Sequence, residues 1–180
     1  INYALVAWFG RSNNIAPLKD YWQPGLENVQ QYSYNYTFFD NPYFTLYENR
    51  NAFGKDRALG NITARYDLTD AFSIQVRSGM DLQDESRNFR RAFSTNRFKN
   101  GAYAEQKVFF REINTDILLN YQKNYKDFGF DLSLGGNQMD QKASIDQLQT
   151  TILAQPGVYS LTNAAAPLEY YTRVANKKIN

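Results

Sequence analysis

The stretch RALGNITARYDLTDAFSIQVRSGMDL, from Arg57 to Leu82, decides the fold. In its first half Ala58, Gly60, Ile62, Ala64, Tyr66 and Leu68 occupy one set of alternate positions, and Arg57, Asn61, Thr63, Arg65 and Asp67 the other. After Thr69-Asp70-Ala71 the alternation resumes, with Phe72, Ile74, Val76, Met80 and Leu82 against Ser73, Gln75, Arg77 and Asp81. Successive side chains of a strand point to opposite faces, so an alternation this long means strand and not helix. Register supplies an independent check. Residues directly opposite in an antiparallel pair share a face, so the turn must bring like phases together. Both apolar sets fall on even numbers, which requires an odd loop. Thr69 to Ala71 provides one, pairing Leu68 with Phe72 and Arg65 with Gln75.

A second hairpin is expected within 107–142, its clearest part running from Val108 to Met139. Ile113, Thr115, Ile117, Leu119 and Tyr121 lie opposite in phase to Glu112, Asn114, Asp116 and Asn120. Phe128, Phe130, Leu132 and Leu134 then alternate with Asp131, Ser133 and Asn137. Odd and then even apolar phases require an even loop. A turn centred on Asn124-Tyr125 meets that condition, pairing Tyr121 with Phe128 and Asp116 with Ser133.

Around these hairpins the sequence is less regular. Residues 1–56 read as loop and the start of a strand, with a short helix at Ala16–Tyr21 capped by Asn14 and a turn at Asn41-Pro42. Gln30–Phe39 reads as loop or a weak strand. Long connections are expected over 83–106 and 143–167, with a further strand over 168–180. No internal domain boundary is indicated.

Composition narrows the function. The 180 residues contain neither Cys nor His, which removes disulfides, thiolate metal sites and the commonest general base. A formal charge of +2 is too small for a nucleic-acid partner. Aromatic residues make up 16% of the chain, yet mean hydropathy is −0.61. No run approaches the ~20 apolar residues of a membrane helix. A transmembrane barrel needs only alternate residues apolar, so a polar average suits it. The chain opens on Ile1 without a charged and apolar leader, so either a signal has been removed or the chain is a fragment.

Three features favour a membrane barrel over a soluble sheet. Soluble strands usually have ~5–6 residues, whereas these alternations continue for about 11–14, the reach of a tilted transmembrane strand. Two tight turns alternate with long connections, as in outer-membrane barrels. Tyr66, Phe72, Tyr121 and Phe128 all sit beside the tight turns in the apolar phase, where an aromatic girdle belongs. The bland alternative is a half-buried soluble sheet whose charged face meets water.

Other clusters carry less. Asp81, Asp84 and Glu85 offer oxygen ligands but lack the spacing of a calcium loop, so no metal site is assigned. Arg87, Arg90, Arg91, Arg97 and Lys99 interleave with Phe89, Phe93 and Phe98; a solvated loop explains them better than nucleic acid. Gly135-Gly136 reads as a bend or bulge. No nucleophile–base pair can be assembled, so no catalytic residue, cofactor or enzymatic activity is expected.

The run Asn41-Pro42-Tyr43-Phe44, then Asp56-Arg57-Ala58-Leu59-Gly60-Asn61-Ile62 and Arg65-Tyr66-Asp67-Leu68-Thr69-Asp70, resembles the SusC/RagA family of TonB-dependent outer-membrane transporters. The likeness continues through Arg77-Ser78-Gly79-Met80-Asp81, Glu112-Ile113-Asn114-Thr115-Asp116-Ile117-Leu118-Leu119 and Gly157-Val158-Tyr159-Ser160-Leu161-Thr162-Asn163. The opening Ala7-Trp8-Phe9-Gly10-Arg11-Ser12 is similar too. The resemblance implies an internal segment of an all-β, antiparallel barrel of ~22 strands in the bacterial outer membrane. It also implies TonB-dependent import of an oligosaccharide or peptide with a SusD-like surface lipoprotein, the TonB complex engaging parts of the protein outside this chain. Asn61, Arg65, Gln75, Arg77, Glu112, Asn114 and Asp116 are then candidate lumen-facing substrate contacts, and lipid meets the other face. The rival expectation is a barrel that only anchors a structural or adhesive surface protein.

Overall fold

The computed structural model of the chain describes residues 9, 10 and 12–180. Ala7, Trp8 and Arg11 of the opening motif lie outside the described residues. Five strands, β1 (Asn51–Asp67), β2 (Phe72–Thr95), β3 (Phe98–Tyr125), β4 (Phe128–Thr150) and β5 (Glu169–Ile179), form one antiparallel sheet in chain order. The sheet is open, with β1 and β5 at its edges. None of the described helices is long and apolar enough to cross a membrane; β-strands cross differently.

The first hairpin forms as its alternation predicts. Leu68 N–H donates to Phe72 C=O at 2.9 Å, so Thr69-Asp70-Ala71 is the connecting loop. Thr69 closes it, its Oγ1 accepting from the N–H groups of Ala71 (3.2 Å) and Phe72 (3.0 Å).

In the second hairpin the faces are as expected but the register is not. The turn is Lys126-Asp127, with Lys126 at φ 51°, and not Asn124-Tyr125. Asp116 consequently meets Asn137 instead of Ser133, and Ser133 Oγ donates to Asn120 Oδ1 at 2.8 Å. Tyr121 lies against Phe72, ring centroids 4.6 Å apart, and Phe128 begins β4 directly after the two-residue turn. Parity explains the miss. A six-residue and a two-residue loop are both even and present the same faces, and the shorter one extends the ladder.

The larger correction concerns 83–106, expected as a long loop. These residues are strand: β2 runs on to Thr95, a two-residue turn at Asn96-Arg97 follows, and β3 starts at Phe98. The β4–β5 connection is likewise shorter than 143–167, because β4 continues to Thr150. The one-faced alternation fades here because other segments cover the strands. Ala92, Ser94, Thr95, Ala102, Tyr103 and Ala104 are buried, small and polar residues as much as apolar ones. At 23 to 28 residues, β2, β3 and β4 far exceed the ~9–11 that cross a bilayer.

The chain groups into two compact units, and the long strands contribute to both. The hairpin unit comprises Lys55–Glu85, Lys107–Ile145 and Thr172–Asn180. The first turn lies against β3 near its end, Gln122 N–H donating to Ala71 C=O at 2.8 Å, and the second turn follows four residues further on.

The loop-bearing unit comprises Ile1–Gly54, Ser86–Gln106 and Asp146–Tyr171. Its small core includes Leu18, Phe44, Ala92 and Leu153. Where a turn was expected at Asn41-Pro42, Asn41 caps a helix, α1 (Pro42–Tyr47). The cap is fully buried and its side chain is satisfied on both atoms. Oδ1 accepts from Tyr43 N–H (2.8 Å) and Phe44 N–H (3.3 Å), and Nδ2 donates to the carbonyls of Leu18 (2.9 Å) and Tyr32 (2.7 Å). Gln31, also buried, donates to Asp40 Oδ1 (2.7 Å) and Ser94 C=O (2.6 Å) and accepts from Asn41 N–H (2.8 Å). The short helix at Ala16–Lys19 is 3-10, and Asn14 Oδ1 accepts from Ala16 N–H at 3.0 Å.

Candidate functional site

In the hairpin unit, the strand alternation sorts side chains into two unlike faces. One carries large apolar groups open to the surroundings: Ile62 is 74% exposed, Leu132 68% and Leu134 71%. Soluble proteins rarely leave so continuous an apolar surface open, so it marks a face built to be covered. Tyr66 and Phe128 are exposed on it, and Phe72 packs on Tyr121. Tyr125, placed in the turn by sequence, ends β3 and joins this aromatic group, as does Phe130.

The opposite face is a hydrogen-bonded polar sheet. Arg57 grips Asp81 with two parallel bonds, Nε to Oδ1 at 2.9 Å and Nη2 to Oδ2 at 2.8 Å, and Gln83 donates to the same carboxylate at 3.1 Å. This pairing takes Asp81 away from any shared site with Asp84 and Glu85. Arg77 donates twice to Asp116 Oδ2, at 2.9 and 2.6 Å, while Asn137 donates to Asp116 Oδ1. Glu112 accepts from Asn114 at 2.7 Å and from Gln141 at 3.2 Å.

The candidate contacts therefore separate into groups. Arg77 with Asp116, and Asn114 with Glu112, are brought together. Arg65 instead bonds Asp67 two residues along its own strand at 3.0 Å. Asn61 sits across from Gly79, its Cβ 3.7 Å from where a Gly79 Cβ would lie. Two open recesses mark this face. One of about 710 Å³ is lined by Arg65, Asn120, Asp131 and Ser133, and one of about 460 Å³ by Gln75, Arg77, Asp116 and Asn137. Gly135, in the second, needs no bulge: β4 is unbroken there, and a Cβ would approach Ile117 C=O and Leu118 Cδ1 to 3.0 Å. The glycine makes room for the neighbouring strand.

A polar array that sequence reading missed lies in the loop-bearing unit. Arg87 Nη1 donates to Gln106 Oε1 (3.1 Å), Gln106 Nε2 to Gln147 Oε1 (2.7 Å), Gln147 Nε2 to Gln149 Oε1 (2.6 Å), and Gln149 Nε2 to Glu169 Oε2 (2.7 Å). This relay crosses β2, β3, β4 and β5 from a cation to a carboxylate. Beside it is a recess of about 320 Å³ whose lining includes Phe89, Phe98, Ala102, Ala104, Gln147 and Gln149. Assigning 83–106 to a loop hid it. The one signal available was the alternate spacing of Gln147 and Gln149.

The basic cluster is spread over β2 and β3, with Arg97 in the turn between them, and is not gathered in a long loop. Arg90 lies over the Tyr159 ring, 5.4 Å from its centroid, and Arg91 donates to Asn51 Oδ1 at 3.0 Å. Burial pushes the Tyr159 hydroxyl up to about 12, helped by the Glu48 carboxylate and opposed by Arg90. Tyr21 is also raised to about 12, by burial and by its 2.9 Å hydrogen bond to Glu48.

No family model and no curated protein matches the chain. Among solved structures, the fold is similar to that of a chain in "Structure of the RagAB peptide transporter", with a TM-score of 0.58 over 83% of this chain at 13% identity. The match covers 17% of that chain, so the present chain spans about a sixth of its length. At this identity the likeness is one of fold: an open antiparallel meander arranged like part of a transporter's sheet.

Proposed function

We propose that the chain is a wall segment of a TonB-dependent outer-membrane transport barrel of the SusC/RagA kind, importing an oligosaccharide or peptide. The observation that carries this reading is the division of one sheet into an exposed apolar face and a hydrogen-bonded charged face, on strands longer than a bilayer needs. The apolar face with its aromatic end suits lipid, and the polar face, with Arg57, Arg77, Asp81, Glu112 and Asp116, suits a water-filled lumen. Its ion pairs are too open to add much to stability, typically ~0–1 kcal/mol each, so their role is to set the charge of the wall. The fold likeness to the RagAB transporter and the sequence resemblance both support the reading. The wall binds and guides; no chemistry is assigned to it. A SusD-like surface lipoprotein is the proposed partner.

The test uses the full-length protein that contains this chain, expressed in its outer membrane. Uptake of small peptides and oligosaccharides is followed before and after loss of TonB. Uptake that needs both the protein and TonB supports import. A protein whose removal leaves all uptake unchanged but abolishes surface adhesion would instead be an anchor.

A further inference from the structure

The Phe89–Phe98 recess and the glutamine relay of the loop-bearing unit form a site that the transport reading does not by itself assign. Each glutamine amide has two N–H groups and two oxygen lone pairs. The relay uses one of each at Gln106, Gln147 and Gln149. One donor and one acceptor per amide therefore remain for a ligand. Gln147 and Gln149 are two residues apart on β4, and same-face positions of a strand repeat at ~6.6–6.8 Å. An extended peptide repeats its own outward amide groups at that same interval.

The recess beside these amides is lined mainly by apolar surface, with Ala102 and Ala104 buried. Of its hydroxyls, Tyr103 donates to Glu105 (3.0 Å), Thr150 donates to Ile152 C=O (2.9 Å), and Thr151 is exposed. Arg91, the one charged side chain in the lining, already donates to Asn51 Oδ1 (3.0 Å) and to Arg90 C=O (2.6 Å). At about 320 Å³ the recess has room for a single aliphatic or aromatic side chain. A sugar ring carries hydroxyls around its whole edge, and burying one against Ala and Phe without a partner costs ~1–3 kcal/mol. A peptide keeps its polar groups in the amide plane and alternates them with side chains. Resting on the transport reading, we propose that this is a peptide subsite. Gln147 and Gln149 hydrogen-bond the backbone of an extended peptide, and the recess takes one apolar side chain.

The test is calorimetric titration of the purified full-length protein in detergent with end-blocked tetrapeptides, one containing a single Leu and one all Gly, and with maltotetraose. The Leu peptide is expected to bind at least about tenfold tighter than the Gly peptide, as burial of a Leu side chain predicts. Phe98→Ala removes that preference while sparing the Gly peptide. Gln147→Ala and Gln149→Ala each weaken both peptides about fivefold, as loss of one neutral hydrogen bond predicts. Unchanged heat-modifiable migration shows that each variant is folded, and Gln149→Glu is a second probe that keeps the shape while removing a donor. Equal affinity for the two peptides, glutamine variants without effect, or maltotetraose binding that depends on Gln147 would overturn the proposal. Failure of TonB-dependent uptake with the Leu preference intact would undo the transport reading and leave the subsite standing. Uptake without the Leu preference would do the reverse.

Discussion

Replacing Asn41 tests how the loop-bearing unit is held together. Asn41→Ala removes four side-chain hydrogen bonds at a position with no solvent exposure. Loss of the helix cap alone costs ~1 kcal/mol, and leaving the Leu18 and Tyr32 carbonyls unpaired adds ~1–2 kcal/mol each, about 3–5 kcal/mol in all. The readout is hydrogen exchange at Thr45 and Glu48, whose N–H groups donate to the Asn41 and Phe44 carbonyls at 2.9 and 2.8 Å. Local opening should become easier by roughly two to three and a half orders of magnitude. Asn41→Asp sharpens the test. It keeps the cap acceptor but turns a carboxylate toward two carbonyl oxygens, which raises its folded pKa above the unfolded value of ~3.9. A raised folded pKa means stability is greatest below ~3.9 and falls as pH rises through the raised value. The variant should thus be as weak as Asn41→Ala at neutral pH and partly recover in acid. Parent-like protection of Thr45 and Glu48 in Asn41→Asp at pH ~7 would refute this account of the buried amide.

Four further outcomes are expected. Gly101→Ala should loosen the Leu153 amide to exchange, because φ is +66° and the new Cβ would meet Arg91 C=O and Leu153 Cδ1 at 2.9 Å; about 2–4 kcal/mol is predicted, against little at Gly60, whose Cβ would meet nothing within 4 Å. Val76→Arg on the apolar face should cost ~2–4 kcal/mol if it lies near the bilayer midplane, read by denaturant titration of the full-length barrel in lipid. Since the Tyr21 hydroxyl is raised from 10.0 to about 12, its contribution is complete below pH 10 and lost as pH climbs toward 12; Tyr21→Phe should flatten proteolytic susceptibility of the 9–50 segment across that window. Residues 1–180 alone should not form a stable monomeric barrel, because the outer edges of β1 and β5 would face lipid with unpaired backbone groups. A well-dispersed NMR spectrum from that segment in aqueous buffer would refute it.

What the sequence disclosed follows from which physical signals it carries. Arg57–Leu82 was legible because one face of each strand is apolar, so period two survives in the residue order. The second hairpin was legible in face but not in register, because parity alone cannot distinguish a six-residue from a two-residue loop. Glycine at position 129, beside Asn124, was the missed local hint that the strands close up further. The extensions of β2 and β3 were invisible because Ala92, Ser94 and Thr95 are buried by side-chain amides and not by an apolar layer. Asn49 Oδ1, for instance, accepts from both Ala92 N–H (2.8 Å) and Thr95 Oγ1 (3.1 Å). Among the candidate contacts, strand phase placed Arg77, Glu112 and Asp116 on the polar face. That Arg77 and Asp116 pair could not be read without the β2–β3 register.

The relay from Arg87 to Glu169 has a direction, and the direction is imposed from its ends. A guanidinium can only donate and an ionised carboxylate can only accept, so no glutamine between them can be turned over alone without setting oxygen against oxygen or N–H against N–H. Reversing the row would require exchanging its termini. Three side chains whose amide orientation is ordinarily free are thereby fixed together, and anything that moves along them meets donors and acceptors in one unvarying order. Arg87→Gln alone would leave the order standing, because Glu169 can still only accept; with Glu169→Gln added, every glutamine keeps its place but its polarity is undecided.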